Sequence, residues 1–178
     1  MRKLHLGCGE NYLEGFDNLD NNVNVKADIL ADMDYMLPFN PCTFDYIYSH
    51  HSLEHSKNFF FLMNELYRIC KPDAIIEIYV PHFTSIYAFK YRYHYNYFGI
   101  GSFIMFTDNS ASKQKEGNAK FKILDEKLSL LWKDKRLIFK IVNSFNFLFN
   151  FSKKWQQVCE RFFIFGFDEV YYKLQVVK

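Results

Sequence analysis

Lys3-Leu4-His5-Leu6-Gly7-Cys8-Gly9-Glu10 reads as a short apolar strand running straight into a tight Gly-x-Gly turn. Glycine serves where the backbone takes a left-handed turn or lets a ligand lie directly against it. In an open α/β sheet such a turn stands at the carboxyl end of the first strand, where ligands bind. The turn is therefore expected to cradle a nucleotide-like ligand, and the residues that follow decide which one.

A dinucleotide site needs G-x-G-x-x-G, whose third glycine lets the helix pack close to the strand. Tyr12 stands at that third position, so the fingerprint fails. No Gly-Lys-Ser/Thr follows, which excludes a P-loop. What remains is the Gly-x-Gly turn and a carboxylate, Asp20, closing the strand-like Asn18-Leu19-Asp20. A carboxylate there accepts hydrogen bonds from both hydroxyls of a ribose. A cofactor with a ribose and no phosphate fits best, which points to S-adenosylmethionine.

Outward from this turn, the first half alternates strands and helices. Val23 to Ile29 alternates in polarity and reads as a third strand, and Pro38-Phe39-Asn40-Pro41 as a turn. Phe44 to Ser49 reads as a fourth strand with His50-His51-Ser52 at its carboxyl end. Apolar residues recur at helical spacing from Asn58 to Ile69, and Lys71-Pro72 ends that helix. Ala74 to Val80 is a nearly continuous apolar strand, as in a sheet buried on both faces, and Pro81-His82 stops it. Strands separated by helices imply a parallel, doubly wound α/β sheet.

The second half is aromatic. Residues 87–118 read as a tyrosine-rich lid followed by a polar, Lys-rich loop, and Phe121 onward as a long strand ending near Trp132. Apolar positions from Ile138 to Phe162, including Trp155, Val158 and Cys159, fit a helical stripe over 137–163, in one helix or two. Val170, Tyr172, Leu174 and Val176 alternate with polar neighbours in a closing strand, expected to run antiparallel.

A chain of 178 residues is read as one domain, residues 1–178, large enough to bury a core. Its four cysteines, Cys8, Cys42, Cys70 and Cys159, form no CxxC pair, which argues against a thiolate zinc site and a disulfide framework. Met1-Arg2-Lys3 leads directly into the first strand with no signal-peptide pattern. With no transmembrane run, this makes a cytoplasmic location the expectation. Residues 1–110 carry 8 Lys/Arg against 13 Asp/Glu, and residues 111–178 carry 14 against 7. The basic half can face an anionic substrate, a nucleic acid or a membrane surface, or can simply be solvated.

An ordered series of motifs now resembles a known family. Leu4-His5-Leu6-Gly7-Cys8-Gly9, Gly15-Phe16-x-Asn18-Leu19-Asp20, Ala27-Asp28, Leu37-Pro38-Phe39, Phe44-Asp45-Tyr46-Ile47, Ser52-Leu53-Glu54-His55, Glu65-Leu66-Tyr67-Arg68 and Lys71-Pro72 are similar to a small class I S-adenosylmethionine-dependent methyltransferase. The likeness is to the compact bacterial group associated with glycan (polysaccharide) biosynthesis. It covers residues 3–106 strongly and the final strand weakly.

The resemblance implies a Rossmann-like, mostly parallel seven-stranded sheet with an antiparallel C-terminal strand. It implies a methyltransferase that turns S-adenosylmethionine into S-adenosylhomocysteine and methylates a small-molecule or glycan-type acceptor, with oxygen the expected atom. Carried over position by position, Gly7, Cys8 and Gly9 hold the methionine part, Asp20 the ribose, and Asp28 with Ile29 the adenine. Ser49 and His50 border the sulfonium. His5 replaces the family's usual acidic residue, Asp73-Ala74 replaces a Gly-Gly turn, and the first helix is very short. The alternative is a catalytically silent binding module with the same fold.

Two histidines, His94 in the lid and His82 after the fifth strand, are candidate general bases for a hydroxyl acceptor. Either can instead simply hydrogen-bond a loop. His51 and His55 stand at i, i+4 beside His50, a spacing that could hold a metal. Because Glu54-His55 belongs to the family motif, it is read as pocket floor and no metal is expected. Phe139, Phe147 and Phe151, off the main helical face, could mark a homodimer contact, a peripheral membrane contact near Lys140, Lys153 and Lys154, or core packing. Tyrosines interleaved with Lys and Arg could stack RNA bases or sugar rings. No RNA-binding motif accompanies them, so no nucleic-acid partner is expected.

Overall fold

The computed structural model describes residues 1–108, 117–130, 144–162 and 166–178. Seven strands share one sheet: β1 (Lys3–Leu6), β2 (Asp17–Asp20), β3 (Ile29–Leu30), β4 (Phe44–His50), β5 (Cys70–Pro81), β6 (Phe121–Ser129) and β7 (Glu169–Val176). Their order is β3-β2-β1-β4-β5-β7-β6. β1 to β5 pair in parallel, and β7 runs antiparallel to both neighbours, β5 and β6. The expected mostly parallel seven-stranded sheet with an antiparallel closing strand is thus what forms. The order reverses between β1 and β4, the kind of switch point where open α/β sheets bind ligands.

The described helices are α1 (Phe59–Ile69), α2 (Ile86–Lys90), α3 (Asn146–Phe149) and α4 (Lys153–Phe162), with short 3-10 turns at Leu53–His55 and Ile104–Phe106. α1 starts where expected because the Asn58 side chain accepts a hydrogen bond from the Phe61 amide at 3.1 Å. Its Leu62, Met63, Leu66 and Ile69 are fully buried, each stabilising the packed state by about 1.5–3 kcal/mol. Buried Glu65 accepts from the Leu37 amide and pairs with Arg68, whose guanidinium donates to the Leu37 and Phe39 carbonyls. Two of the motifs that carry the resemblance therefore act as one clamp, tying the Leu37-Pro38-Phe39 turn to α1.

Three expectations are corrected. The third strand is not Val23 to Ile29 but Ile29–Leu30 alone, and Val23 is 74% exposed. The Asp20 carboxylate accepts from the Asn22 amide and the Asn22 side chain from the Asn24 amide, and such local bonds compete with a strand ladder. β5 begins at Cys70 rather than Ala74, because a register shift between Phe44 and Tyr46 accommodates Pro72. There Asp73 adopts φ 60°, the left-handed conformation that the absent glycine would take easily. In α4 the buried residues are Gln156 and Cys159, while Trp155, Val158 and Phe162 face outward. Polar anchors set that orientation: Gln156 donates to the Glu126 carbonyl and the Asn150 side chain, and Lys153 pairs with Glu126. Trp132, Phe139, Lys140 and positions 109–116 and 131–143 lie outside the described residues.

No helix connects β1 to β2, β2 to β3 or β3 to β4, so the first helix, expected to be very short, is replaced by turns. The sheet face containing Ile78 and Tyr172 carries the core, with Phe59 of α1 packed on Phe103 and Phe103 on Tyr172. The opposite face displays a row of touching rings from His5 through Tyr48 and Tyr79 to Tyr171.

Candidate active site

Gly7 and Gly9 both take left-handed φ, 66° and 51°. A Cβ on Gly7 would lie 2.3 Å from the Ser52 Cβ, whereas one on Gly9 would meet nothing within 4 Å. The first glycine is thus required by close packing and the second faces open space. Between them Cys8 donates its amide to the Leu19 carbonyl at 3.0 Å, locking the turn to β2. The Asp20 carboxylate accepts from the Gly9 amide at 2.7 Å, so the two parts of the expected cradle hold each other.

They open on a cavity of about 460 Å³ lined by Gly7, Gly9, Asp20, Asp32, Met33 and Ser52 on the sheet side and by Lys57, Tyr93 and Tyr95 across from it. Its volume is that of a small-molecule or cofactor site. Ser52 donates to the Leu6 carbonyl and is hydrogen-bonded to Ser49, which positions the wall facing the glycines.

A second cavity of about 170 Å³ adjoins it, lined by His51, Glu54, His55, Tyr87, Tyr91 and His94. His51 and His55 line both cavities. His51 itself adopts φ 53°, a conformation that costs a non-glycine residue free energy and is concentrated at functional sites. That turn carries the chain from the end of β4 into the Leu53–His55 turn along the cavity wall. The lid is stitched to the same turn: the Tyr95 and Asn96 amides donate to the Glu54 carbonyl, and the Asn96 side chain to those of Leu53 and Ser56.

Glu54 is 1% exposed, and neither carboxylate oxygen has a hydrogen-bond partner. Burial pushes its carboxyl up to about 8. His94 is 8% exposed; burial lowers its basicity, partly offset by its hydrogen bond to the Ala88 carbonyl. His51 and His50 both bond Glu169, at 2.9 and 3.1 Å. Burial raises the Glu169 carboxyl, but the two imidazoles outweigh it and hold the group below its ordinary value.

The other expected site residues lie elsewhere. Cys8, Asp28, Ile29, Ser49 and His50 are not on the wall of the large cavity. The Asp28 carboxylate is committed to the Asn18 amide, the Asn18 side chain and the Tyr12 hydroxyl, and these bonds hold the carboxyl below its ordinary value. His82 is fully buried between Glu160 at 2.8 Å and Thr84 at 2.7 Å, outside both cavities. His5, which takes the place of the usual acidic residue, bonds Asn18 at 3.2 Å, and burial lowers its basicity. Sequence reading missed Asp32, Lys57, Tyr93 and Tyr95 as lining, and gave Glu54 no role beyond the pocket floor. The Asp32-x-Asp34 pair just after the third strand was the available signal.

Residues 4–78 match the family model described as a methyltransferase domain. No curated protein matches the chain. An S-adenosylmethionine-dependent methyltransferase from Archaeoglobus fulgidus superposes with a TM-score of 0.58 at 17% identity, over 98% of this chain and 85% of its own. The fold is that of the S-adenosylmethionine-dependent methyltransferases. Others share this methyltransferase fold at similar distance. A putative methyltransferase of Haloferax volcanii, solved with a methyltransferase activator, has a TM-score of 0.58 at 14% identity over 99% of this chain and 82% of its own. Phosphoethanolamine N-methyltransferase 2 of Haemonchus contortus, solved with S-adenosyl-L-methionine, has a TM-score of 0.56 at 16% identity over 100% and 49%. S-adenosylmethionine is the cofactor that belongs with this fold. The cradle suits it: the Asp20 carboxylate stands on the cavity wall, where it offers hydrogen-bond acceptors, and Gly9 leaves the backbone bare. No helix among the described residues is long and apolar enough to cross a membrane.

Proposed function

We propose that this protein methylates a hydroxyl of a small-molecule or glycan-type acceptor, with S-adenosylmethionine as methyl donor. The observation that carries the reading is the meeting of two cavities at His51 and His55, one beside the Gly7–Gly9 turn and Asp20, the other ending on Glu54 and His94. Gly7, Gly9, Asp20 and Ser52 would hold the cofactor, with Asp32 and Met33 extending the wall. The bound cofactor supplies an activated methyl group, so positioning accounts for most of the rate enhancement asked of the protein.

His94 is the catalytic side chain of this reading. The His94 Nδ1 lies 3.0 Å from the Ala88 carbonyl, which commits that nitrogen as the donor and leaves Nε2 with its lone pair for an acceptor proton. His82, hydrogen-bonded on both ring nitrogens, serves as a structural link between β5 and α4. A sugar-type acceptor is supported by the exposed rings of Tyr91, Tyr93 and Tyr95 around the mouth, flat apolar faces with polar rims.

The test has two stages. Calorimetric titration with S-adenosylhomocysteine should show one site per chain, and failure to bind at millimolar ligand refutes the cofactor assignment. Label from methyl-labelled S-adenosylmethionine should then appear in an unbiased acceptor pool. Binding without any transfer would favour the silent module.

A further inference from the structure

Glu54 is a buried carboxylate with no hydrogen bond to either oxygen, and a native interior rarely leaves such a group unsatisfied. Its neighbours suggest what satisfies it. One donor atom from each of Glu54, His55 and His94 lies within 4.8 Å of the other two. The two rings meet edge to face with centroids 4.6 Å apart. Each ring also carries the outer bond that metal-binding histidines make: His55 Nδ1 lies 3.1 Å from the Tyr93 carbonyl, and His94 Nδ1 lies 3.0 Å from the Ala88 carbonyl. Those carbonyls can only accept, so Nδ1 is protonated on both rings and each Nε2 keeps an electron pair.

We propose that Glu54, His55 and His94 bind a first-row divalent cation of the zinc class in the smaller cavity. Two imidazoles and one carboxylate form a ligand set suited to such ions, and three protein ligands leave a coordination position open. The cavity around them, bounded by Tyr87 and Tyr91, gives that open position to an acceptor hydroxyl. A hydroxyl bound to the ion is acidified and loses its proton to solvent water. In that state His94 holds the ion in place of the proton. The catalytic consequence rests on the methyl-transfer reading; the binding of the ion does not.

The neighbouring cluster of His50, His51 and Glu169 is a weaker host. There the Glu169 carboxylate is already engaged by both imidazoles, at 3.1 and 2.9 Å, so an ion would have to displace existing bonds. Glu54 has no such bond to lose; its nearest approach to His51 is 3.6 Å.

The experiment uses the full chain, stripped with chelator and titrated with Zn²⁺ by calorimetry, with bound metal counted by mass spectrometry. One ion per chain is expected, bound at least tenfold more weakly in Glu54→Gln. His55→Ala, at an exposed position that leaves the buried carboxylate in place, should weaken it as much, and His50→Gln should leave it unchanged. No binding at 100 µM Zn²⁺ overturns the proposal. So does binding that survives both Glu54→Gln and His55→Ala, and so does binding lost in His50→Gln alone. S-adenosylhomocysteine titration of the same samples separates the two readings. Nucleoside binding without zinc overturns the ion alone, and zinc binding without nucleoside overturns the methyltransferase reading alone.

Discussion

Replacing Gly7 and Gly9 separately by alanine gives two different outcomes, although both glycines sit in one turn. Both backbones are left-handed, at φ 66° and 51°, so either alanine costs about 1–2 kcal/mol in conformation. At Gly9 that is the whole cost, since nothing lies within 4 Å of the new Cβ. At Gly7 the new Cβ would fall 2.3 Å from the Ser52 Cβ. Ser52 cannot simply retreat, because its hydroxyl donates to the Leu6 carbonyl at 3.1 Å. Overpacking of this kind adds about 1–3 kcal/mol, bringing Gly7→Ala to about 2–5 kcal/mol. For a chain of this size each kcal/mol moves Tm by about 2–4 °C. Thermal denaturation should therefore show Gly9→Ala lowered by about 2–8 °C and Gly7→Ala by about 4–20 °C. The ligand response should run the other way. Gly9→Ala keeps its fold but puts a methyl group into the cofactor cavity, and its affinity for S-adenosylhomocysteine should drop at least tenfold. Equal Tm losses, or wild-type affinity in Gly9→Ala, would refute this account of the turn.

Other substitutions probe the rest of the site. Asp20→Ala should weaken S-adenosylhomocysteine by about 1.5–3 kcal/mol, the range for hydrogen bonds to a charged group, or about 10- to 150-fold by calorimetry; unchanged affinity would remove Asp20 from the ribose. Asp28→Ala should lower Tm through the lost Asn18 and Tyr12 bonds while leaving that affinity within about threefold. A large loss of affinity at constant Tm would instead place Asp28 on the adenine. His94→Ala should slow turnover by about 10²-fold or more with nucleoside affinity intact, whereas His82→Ala should lower Tm; the reverse pattern would exchange their roles. In metal-free protein, Glu54 favours its protonated form in the fold, with its carboxyl raised from 4.5 to about 8. Its contribution to stability is then complete below about pH 4.5 and is lost as pH rises through about 8. Wild-type Tm should fall relative to Glu54→Gln across that window, and a constant difference would show that Glu54 is not desolvated.

Much of the molecule was legible because it depends on neighbours in the chain. The turn at Gly7 and Gly9, the helix of Phe59–Ile69, and the alternation of Glu169–Val176 are local patterns of period and backbone freedom. The failures were local as well, but they came from side chains competing with regular structure. Asx-type bonds at Asp20 and Asn22 dissolved the expected third strand, and no hydrophobic count registers such bonds. In α4, a hydrogen-bonding glutamine took the buried face that the aromatic stripe was expected to occupy.

The sequence by itself determined that a glycine turn and the carboxylate of Asp20 close successive strands, the pattern from which a ligand with a ribose and no phosphate is expected. Ligand class follows from residue types at short spacing, which a chain carries in any conformation. Tertiary structure alone decided which candidates line the cavity beside that turn. It withdrew Asp28 and His82 into hydrogen bonds of their own and brought Glu54 and His55 against His94 from about forty residues away. Such choices depend on how buried polar groups are satisfied across the whole fold, a balance no short stretch of chain contains.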